Sequence, residues 1–169
     1  GSHHHLFVVE LDDGPLKLLR MPISAETARH LTAEEEAVRR CHERVPVPFP
    51  TLLIPSADRP EACIMPIMTG NRAQDLRRSG EAGGRSPELC RLLGELLAEL
   101  HRIEYPRHEP THVPFLSPSF VTGNERLLHG DAHLGNLMVR QGEKGEYEAT
   151  ALIDWSFCHW GPTESDLVE

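Results

Sequence analysis

Leu127-Leu128-His129-Gly130-Asp131-Ala132-His133-Leu134-Gly135-Asn136-Leu137-Met138-Val139, followed after a polar run by Ala151-Leu152-Ile153-Asp154-Trp155, is the stretch that decides how this chain is read. Asp131 is separated from Asn136 by four residues, and Asp154 closes the next apolar run. These three oxygen-bearing side chains form the set that phosphoryl transfer from Mg·ATP needs. One carboxylate orients the attacking hydroxyl, while an amide and a second carboxylate hold the metal.

The interval Asp-x-x-x-x-Asn followed by a metal-binding Asp resembles the catalytic loop of protein kinases. Two departures narrow the resemblance: His129-Gly130-Asp131 replaces His-Arg-Asp, and Asp154-Trp155-Ser156 replaces Asp-Phe-Gly. Those forms resemble the aminoglycoside phosphotransferase family and its choline- and fructosamine-kinase relatives. The resemblance implies an α+β, protein kinase-like fold of two lobes. A small antiparallel-sheet N-lobe over residues 6–68 would face a mainly helical C-lobe over residues 69–169.

Composition agrees with an enzyme of this kind. The chain has 169 residues, 39% of them hydrophobic and 25% charged, which is enough for one core or for two small lobes sharing a cleft. A net charge of −9 disfavours nucleic acid as a partner, because such binding rests on Lys and Arg against phosphates. It accords with a cationic small molecule. No apolar run approaches the length of a membrane span, so a soluble, cytoplasmic protein is expected. Cys41, Cys63, Cys90 and Cys158 lie far apart and predict reduced thiols rather than a zinc ribbon or a disulfide framework. Gly1-Ser2-His3-His4-His5 has the look of an expression-tag remnant and is set aside.

Along the chain, two apolar runs around Asp12-Asp13-Gly14 predict a β-hairpin. Lys17 interrupts the second run. It is either a solvated edge lysine or, as the resemblance implies, the strand lysine that contacts nucleotide phosphates. Residues 24–44 are helical in pattern, with Thr32 and Glu35 at capping-box spacing. Leu31, Val38, Cys41 and Val45 form one stripe, and Glu34 lies on it. An acid on an apolar stripe needs a partner, and Lys17 is the expected one, with Glu36 as the alternative acid. After the prolines at 46–50, residues 51–54 and 62–68 predict two more strands. The resemblance makes residues 66–71 the linker between lobes, with Pro66 offering a carbonyl and Met68 an N–H to adenine.

Ala73 and Leu76 give a short helix its apolar side. Ser86 as N-cap, Pro87 at the first turn and the stripe of Leu89, Leu92, Leu93, Leu96, Leu97 and Leu100 predict the central helix of the larger lobe. His101 after it is expected to pack or cap. Residues 105–123 carry no assignable pattern, and His108 and His112 lack the third ligand that a metal site would need. Residues 137–139 and 149–153 predict a hairpin with Asn136 and Asp154 at its two ends, facing one cleft. Met138 is either core or, by resemblance, the floor of the adenine pocket. Gly161-Pro162-Thr163-Glu164-Ser165-Asp166-Leu167 resembles the family segment whose Asp braces the catalytic loop.

The reading that follows is an ATP- and Mg²⁺-dependent phosphotransferase acting on the hydroxyl of a small molecule: an aminoglycoside, another antibiotic, a sugar or an amino alcohol. Asp131 is the candidate base, Asn136 and Asp154 are the metal ligands, and Lys17, Glu34, Pro66, Met68 and Met138 form the nucleotide site. Two other classes compete. A metal-dependent hydrolase would use His129, Asp131 and His133 with His159, but leaves Asn136 and Asp154 unexplained. A non-catalytic binding module of kinase descent would suit the lack of a Gly-rich loop, which the resemblance places before Leu6, with further helices after Glu169. Exposed apolar side chains at both ends and a bare or borrowed sheet edge along residues 6–11 are the expected consequence.

Overall fold

The apolar runs on either side of Gly14 pair antiparallel in the computed structural model of the protein, which describes residues 4–11, 14–47, 52–55, 60–104 and 124–166. Strand β1 (His4–Val9) runs against β2 (Lys17–Pro22), with Leu6 opposite Arg20 and Val9 opposite Lys17. His4 and His5, set aside above for their look of an expression tag, pair with Pro22 and Met21 in this sheet. Ladder hydrogen bonds come from the main chain and accept almost any side chain. β2 pairs with β4 (Pro60–Pro66), which pairs with β3 (Leu52–Pro55), giving the order β1-β2-β4-β3. The edge strand β1 leaves Leu6 54% and Val8 62% exposed, as the sequence leads one to expect at this end. Residues 167–169 at the other end lie outside the described residues.

Helix α1 (Ala25–Cys41) starts at Ser24, whose side chain accepts from the Thr27 amide while Thr27 Oγ1 accepts from the Ser24 amide. This capping box replaces the expected one at Thr32 and Glu35. Thr32 lies in the second turn of the helix, where its hydroxyl donates to the Ala28 carbonyl instead. The predicted stripe is buried: Leu31, Val38, Cys41 and Val45 are all essentially inaccessible. Leu31 packs with Cys63 and Met65 of the sheet, whereas Ala33, Ala37, Val38 and Cys41 pack with Leu97, Leu100, Leu127, Leu152, Trp155 and Trp160. One helix thus bridges the small sheet and the core of the other lobe. The Cys41, Cys63 and Cys158 thiols are buried, and burial pushes Cys63 up to about 11 and Cys41 to about 12.

Past residue 66 the chain crosses to the second lobe. Gly70 has a φ of 112° and lies so close to the Val139 carbonyl that no Cβ fits there. Then come the two-residue strand β5 (Asn71–Arg72) and helix α2 (Ala73–Ser79), which buries Ala73 and Leu76 as its sequence requires. Helix α3 (Ser86–Leu100) follows a single 3-10 turn, Gly83–Arg85. Ser86 is its first residue and not its cap, because it already has helical dihedrals, φ −52° and ψ −36°, where a cap is non-helical. Leu89, Leu97 and Leu100 are fully buried, and Leu92, Leu93 and Leu96 flank the same core.

The predicted hairpin forms between β7 (Leu137–Gln141) and β8 (Tyr147–Leu152), with β5 alongside β7. Its second strand starts two residues earlier than the sequence suggests. Tyr147 is buried under the Arg85 guanidinium, and its amide donates to Glu88 at 3.0 Å. A separate ribbon pairs β6 (Arg126–Leu128) with β9 (His159–Gly161). A 3-10 turn, Thr163–Asp166, then returns Asp166 beneath the loop after β6. His108 and His112 lie outside the described residues.

Candidate functional site

Residues 129–136 connect β6 to β7, and their shape is set from beneath by a buried carboxylate. Asp166 accepts the main-chain N–H of His129 at 2.9 Å and of Gly130 at 2.7 Å, and the His101 imidazole at 2.9 Å. Burial alone would raise its pKa, but the bonds from His101, Gly130 and His129 outweigh that and hold it below the usual carboxylate range. His101 and Asp166 are thus a bracing pair, as expected of Asp166. Gly130 has a φ of 80° and presses its Cα against the Phe157 carbonyl, so only glycine is accommodated.

His129 is completely buried and ties this loop to the next one. Its Nδ1 accepts from the Asp131 amide at 3.3 Å, and its Nε2 donates to the Ile153 carbonyl at 3.0 Å. Burial lowers its pKa, against the opposing pull of the Ile153 carbonyl and of Asp166, Asp131 and Asp154. A neutral ring with both nitrogens engaged by the main chain is not a metal ligand. That geometry removes the hydrolase reading built on His129. The ring also lies 4.7 Å from the buried Trp155 indole, whose Nε1 donates to the Leu152 carbonyl at 2.8 Å. This packing accounts for Trp where protein kinases carry Phe.

Asp131 itself is half-buried at the top of the loop. Asn136 Nδ2 donates to the Asp131 carbonyl at 2.9 Å and to its carboxylate Oδ2 at 3.0 Å, which explains the interval between the two residues. His133 stands beside them, its Nδ1 accepting from the Gly135 amide at 2.9 Å.

Asp154 follows the hairpin in a left-handed conformation, φ 65°, uncommon for a residue with a side chain. The Ile153 amide donates to the Asn136 carbonyl at 2.9 Å, so the two ends of the hairpin are adjacent, as the sequence predicts. The side chains diverge from expectation. The Asn136 amide nitrogen turns toward Asp131, while the Asp154 carboxylate opens into the cleft between lobes and accepts from Ser156 Oγ at 2.9 Å. The Asp131 carboxylate draws the amide nitrogen, which leaves Asn136 Oδ1 at the other end of the planar amide group.

The upper wall requires a correction. Glu34 is 3% exposed and is bound by Arg20, not by Lys17: Nη1 reaches Oε1 at 2.6 Å and Nη2 reaches Oε2 at 3.0 Å. Strand alternation is the reason. Leu18 and Arg20 project to the face that meets α1 and the cleft, and Lys17, an odd number of residues from Arg20, projects to the other. Burial opposes the charge on Arg20, but Glu34 outweighs it and raises the pKa further, with a smaller contribution from Asp154. Glu36 instead pairs with Arg39 and Arg40 on the outer side of the helix. Arg20 was legible as the residue two places beyond Leu18 on the same face, but its position at the end of an apolar run masked it.

The cleft has a volume of about 480 Å³. Leu18, Met65, Pro66, Ile67, Met68, Met138 and Ile153 make it apolar on most sides, and Arg20, Glu34 and Asp154 gather charge at one end. Of the predicted nucleotide residues, Glu34, Pro66, Met68 and Met138 line it and Lys17 does not; Arg20 and Ser156 are additions.

The sequence matches the model of the family described as "Phosphotransferase enzyme family" over residues 1–121 and 110–168. Solved structures share the fold. They include a macrolide 2'-phosphotransferase from Brachybacterium faecium, at 17% identity and a TM-score of 0.63, with 99% of this chain and 67% of that one covered. The aminoglycoside phosphotransferase APH(4)-Ia, in a ternary complex with ADP and hygromycin B, aligns at 15% identity and a TM-score of 0.63, covering 99% and 68%. An aminoglycoside 2''-phosphotransferase-IIIa complex with GDP and kanamycin aligns at 16% and 0.64, covering 99% and 72%. Among curated proteins, none matches in sequence.

Proposed function

From a chain that belongs to the phosphotransferase enzyme family, we propose ATP- and Mg²⁺-dependent transfer of the γ-phosphoryl group to a hydroxyl of a small, cationic molecule. The observation that carries this reading is the arrangement around His129. That one buried ring joins the loop bearing Asp131 to the loop bearing Asp154, and Asp154 faces the buried Arg20–Glu34 pair across a cleft of nucleotide size. Relatives with this fold were solved with ADP and with GDP, which supports a nucleotide in the cleft; hygromycin B and kanamycin in two of them support a cationic acceptor.

The residues present suit such a ligand. Met65, Met68 and Met138 would hold a flat base, with the Pro66 carbonyl and Met68 amide available to its edge, and Arg20 and Asp154 would face the phosphates. Arg20, held by two bonds to Glu34, offers its remaining N–H groups to phosphate oxygens from a fixed position. Asp154, oriented by Ser156, would be the carboxylate ligand for the metal, and Asn136 Oδ1 the second. A magnesium ion held by these side chains would supply positive charge to offset that of the phosphates. Asp131 accepts the hydrogen bond of the acceptor hydroxyl and takes its proton late. Catalysis is then largely positioning and electrostatics.

Nucleotide titration by calorimetry tests the reading. ATP with Mg²⁺ should bind wild-type protein, and binding should be lost in Asp154→Ala and weakened in Arg20→Ala. Equal binding by all three would overturn it.

A further inference from the structure

Two donors converge on a single oxygen of Asp131. Asn136 Nδ2 lies 3.0 Å from Oδ2, and His133 Nε2 lies 3.5 Å from the same atom. The two nitrogens are 3.4 Å apart, so both stand on the same side of that oxygen. No donor among the described residues is recorded at Oδ1.

The His133 ring is not free to choose its orientation. Its Nδ1 accepts from the Gly135 amide at 2.9 Å, so the neutral ring carries its proton on Nε2, the nitrogen that faces Asp131. Gly135 makes this possible: a Cβ there would lie 2.6 Å from the His133 ring carbon and 2.5 Å from Gln74 Oε1. The ring is thus seated in its loop by main-chain contact, with its Nε2 3.5 Å from the carboxylate. The 3.5 Å separation is at the outer limit of a hydrogen bond, and such contacts are often long before a substrate closes the site.

We infer that His133 is a positioning residue for phosphoryl transfer: with Asn136 it pins Oδ2 of Asp131 and leaves Oδ1 as the oxygen that receives the acceptor's proton. The inference rests on the phosphotransferase reading above. Fixing one oxygen fixes the carboxylate plane, and with it the direction of the lone pair offered to the hydroxyl. Without the second donor the carboxylate swings about the Asn136 bond, and the share of productive geometries falls.

The two ring nitrogens can be tested separately. His133→Asn keeps an acceptor where Nδ1 sits and loses the donor to Asp131; His133→Gln reaches as far as Nε2 and can restore that donor. Steady-state turnover of Mg·ATP, with water as the acceptor, is measured on the full-length protein alongside binding of a non-hydrolysable ATP analogue. His133→Asn should lower kcat on the order of 10²-fold with analogue affinity unchanged, and His133→Gln should recover a substantial part. A fall in Asp131→Asn without a fall in His133→Asn overturns this inference and leaves the phosphotransferase reading standing. Wild-type turnover in both variants overturns both. Imidazole ¹⁵N shifts, which need no turnover, should report an Nε2–H tautomer for His133 whose signals move in Asp131→Asn. An Nδ1–H tautomer overturns the inference.

Discussion

Arg20 grips Glu34 with both terminal nitrogens, at 2.6 and 3.0 Å, and this pair joins the small sheet to helix α1 directly above the Asp154 carboxylate. Two opposite charges this deeply buried are stable only together. Arg20→Ala or Glu34→Ala should each cost about 3–5 kcal/mol in urea unfolding, because each strands a buried charge. The double variant should cost less than the sum of the two singles. Strict additivity would show that the pair is not coupled.

Replacing Arg20 by lysine should not be silent. A single ammonium cannot hold both oxygens of Glu34 while pointing further donors at a phosphate. Nucleotide affinity should fall by about tenfold or more in Arg20→Lys, read by calorimetry, with the fold retained by circular dichroism. An unchanged affinity would place the phosphate contact elsewhere.

Much of this was legible in the sequence. The apolar stripe of α1, the leucine face of α3 and the hairpin that brings Asn136 beside Ile153 follow from spacing alone. Glu34 stood out as an acid on an apolar stripe, yet its partner was misread. Pairing it with Lys17 ignored strand alternation, which puts Leu18 and Arg20, not Lys17, on the cleft face. The direction of the Asn136 amide was not legible either, since it is decided by the Asp131 charge in three dimensions. Spacing does not orient His133 either: only the Gly135 amide reveals which nitrogen it turns toward Asp131.

Gly130 should tolerate no substitution. Its positive φ and its contact with the Phe157 carbonyl both exclude a Cβ. Gly130→Ala should displace residues 129–131 from Asp166 and lower the melting temperature by several degrees, roughly the effect of 1–2 kcal/mol in a domain of this size. A melting temperature equal to wild type would show that the loop is not held from beneath.

Stability should decline on mild acidification because His129 is held neutral. Burial puts its folded pKa below the unfolded value of about 6.5. The unfolded chain therefore binds a proton that the folded one refuses. This contribution is complete above pH 6.5 and is lost as pH falls through the lower, folded pKa. Asp166, also depressed, adds a second loss below the ordinary carboxylate range of about 4. Melting temperatures should drop between pH 7 and 5, and the drop should flatten in His129→Gln. A drop of the same size in that variant would assign it to other groups.

The central claim is that Asp131 serves the acceptor and Asp154 serves the nucleotide. It is tested most directly by Asp131→Asn in the full-length protein, with turnover and ATP affinity measured on the same sample. Turnover should fall about 10²–10⁴-fold while Mg·ATP affinity stays within a factor of two or so. Wild-type turnover, or a loss of nucleotide binding equal to that of Asp154→Ala, would contradict it.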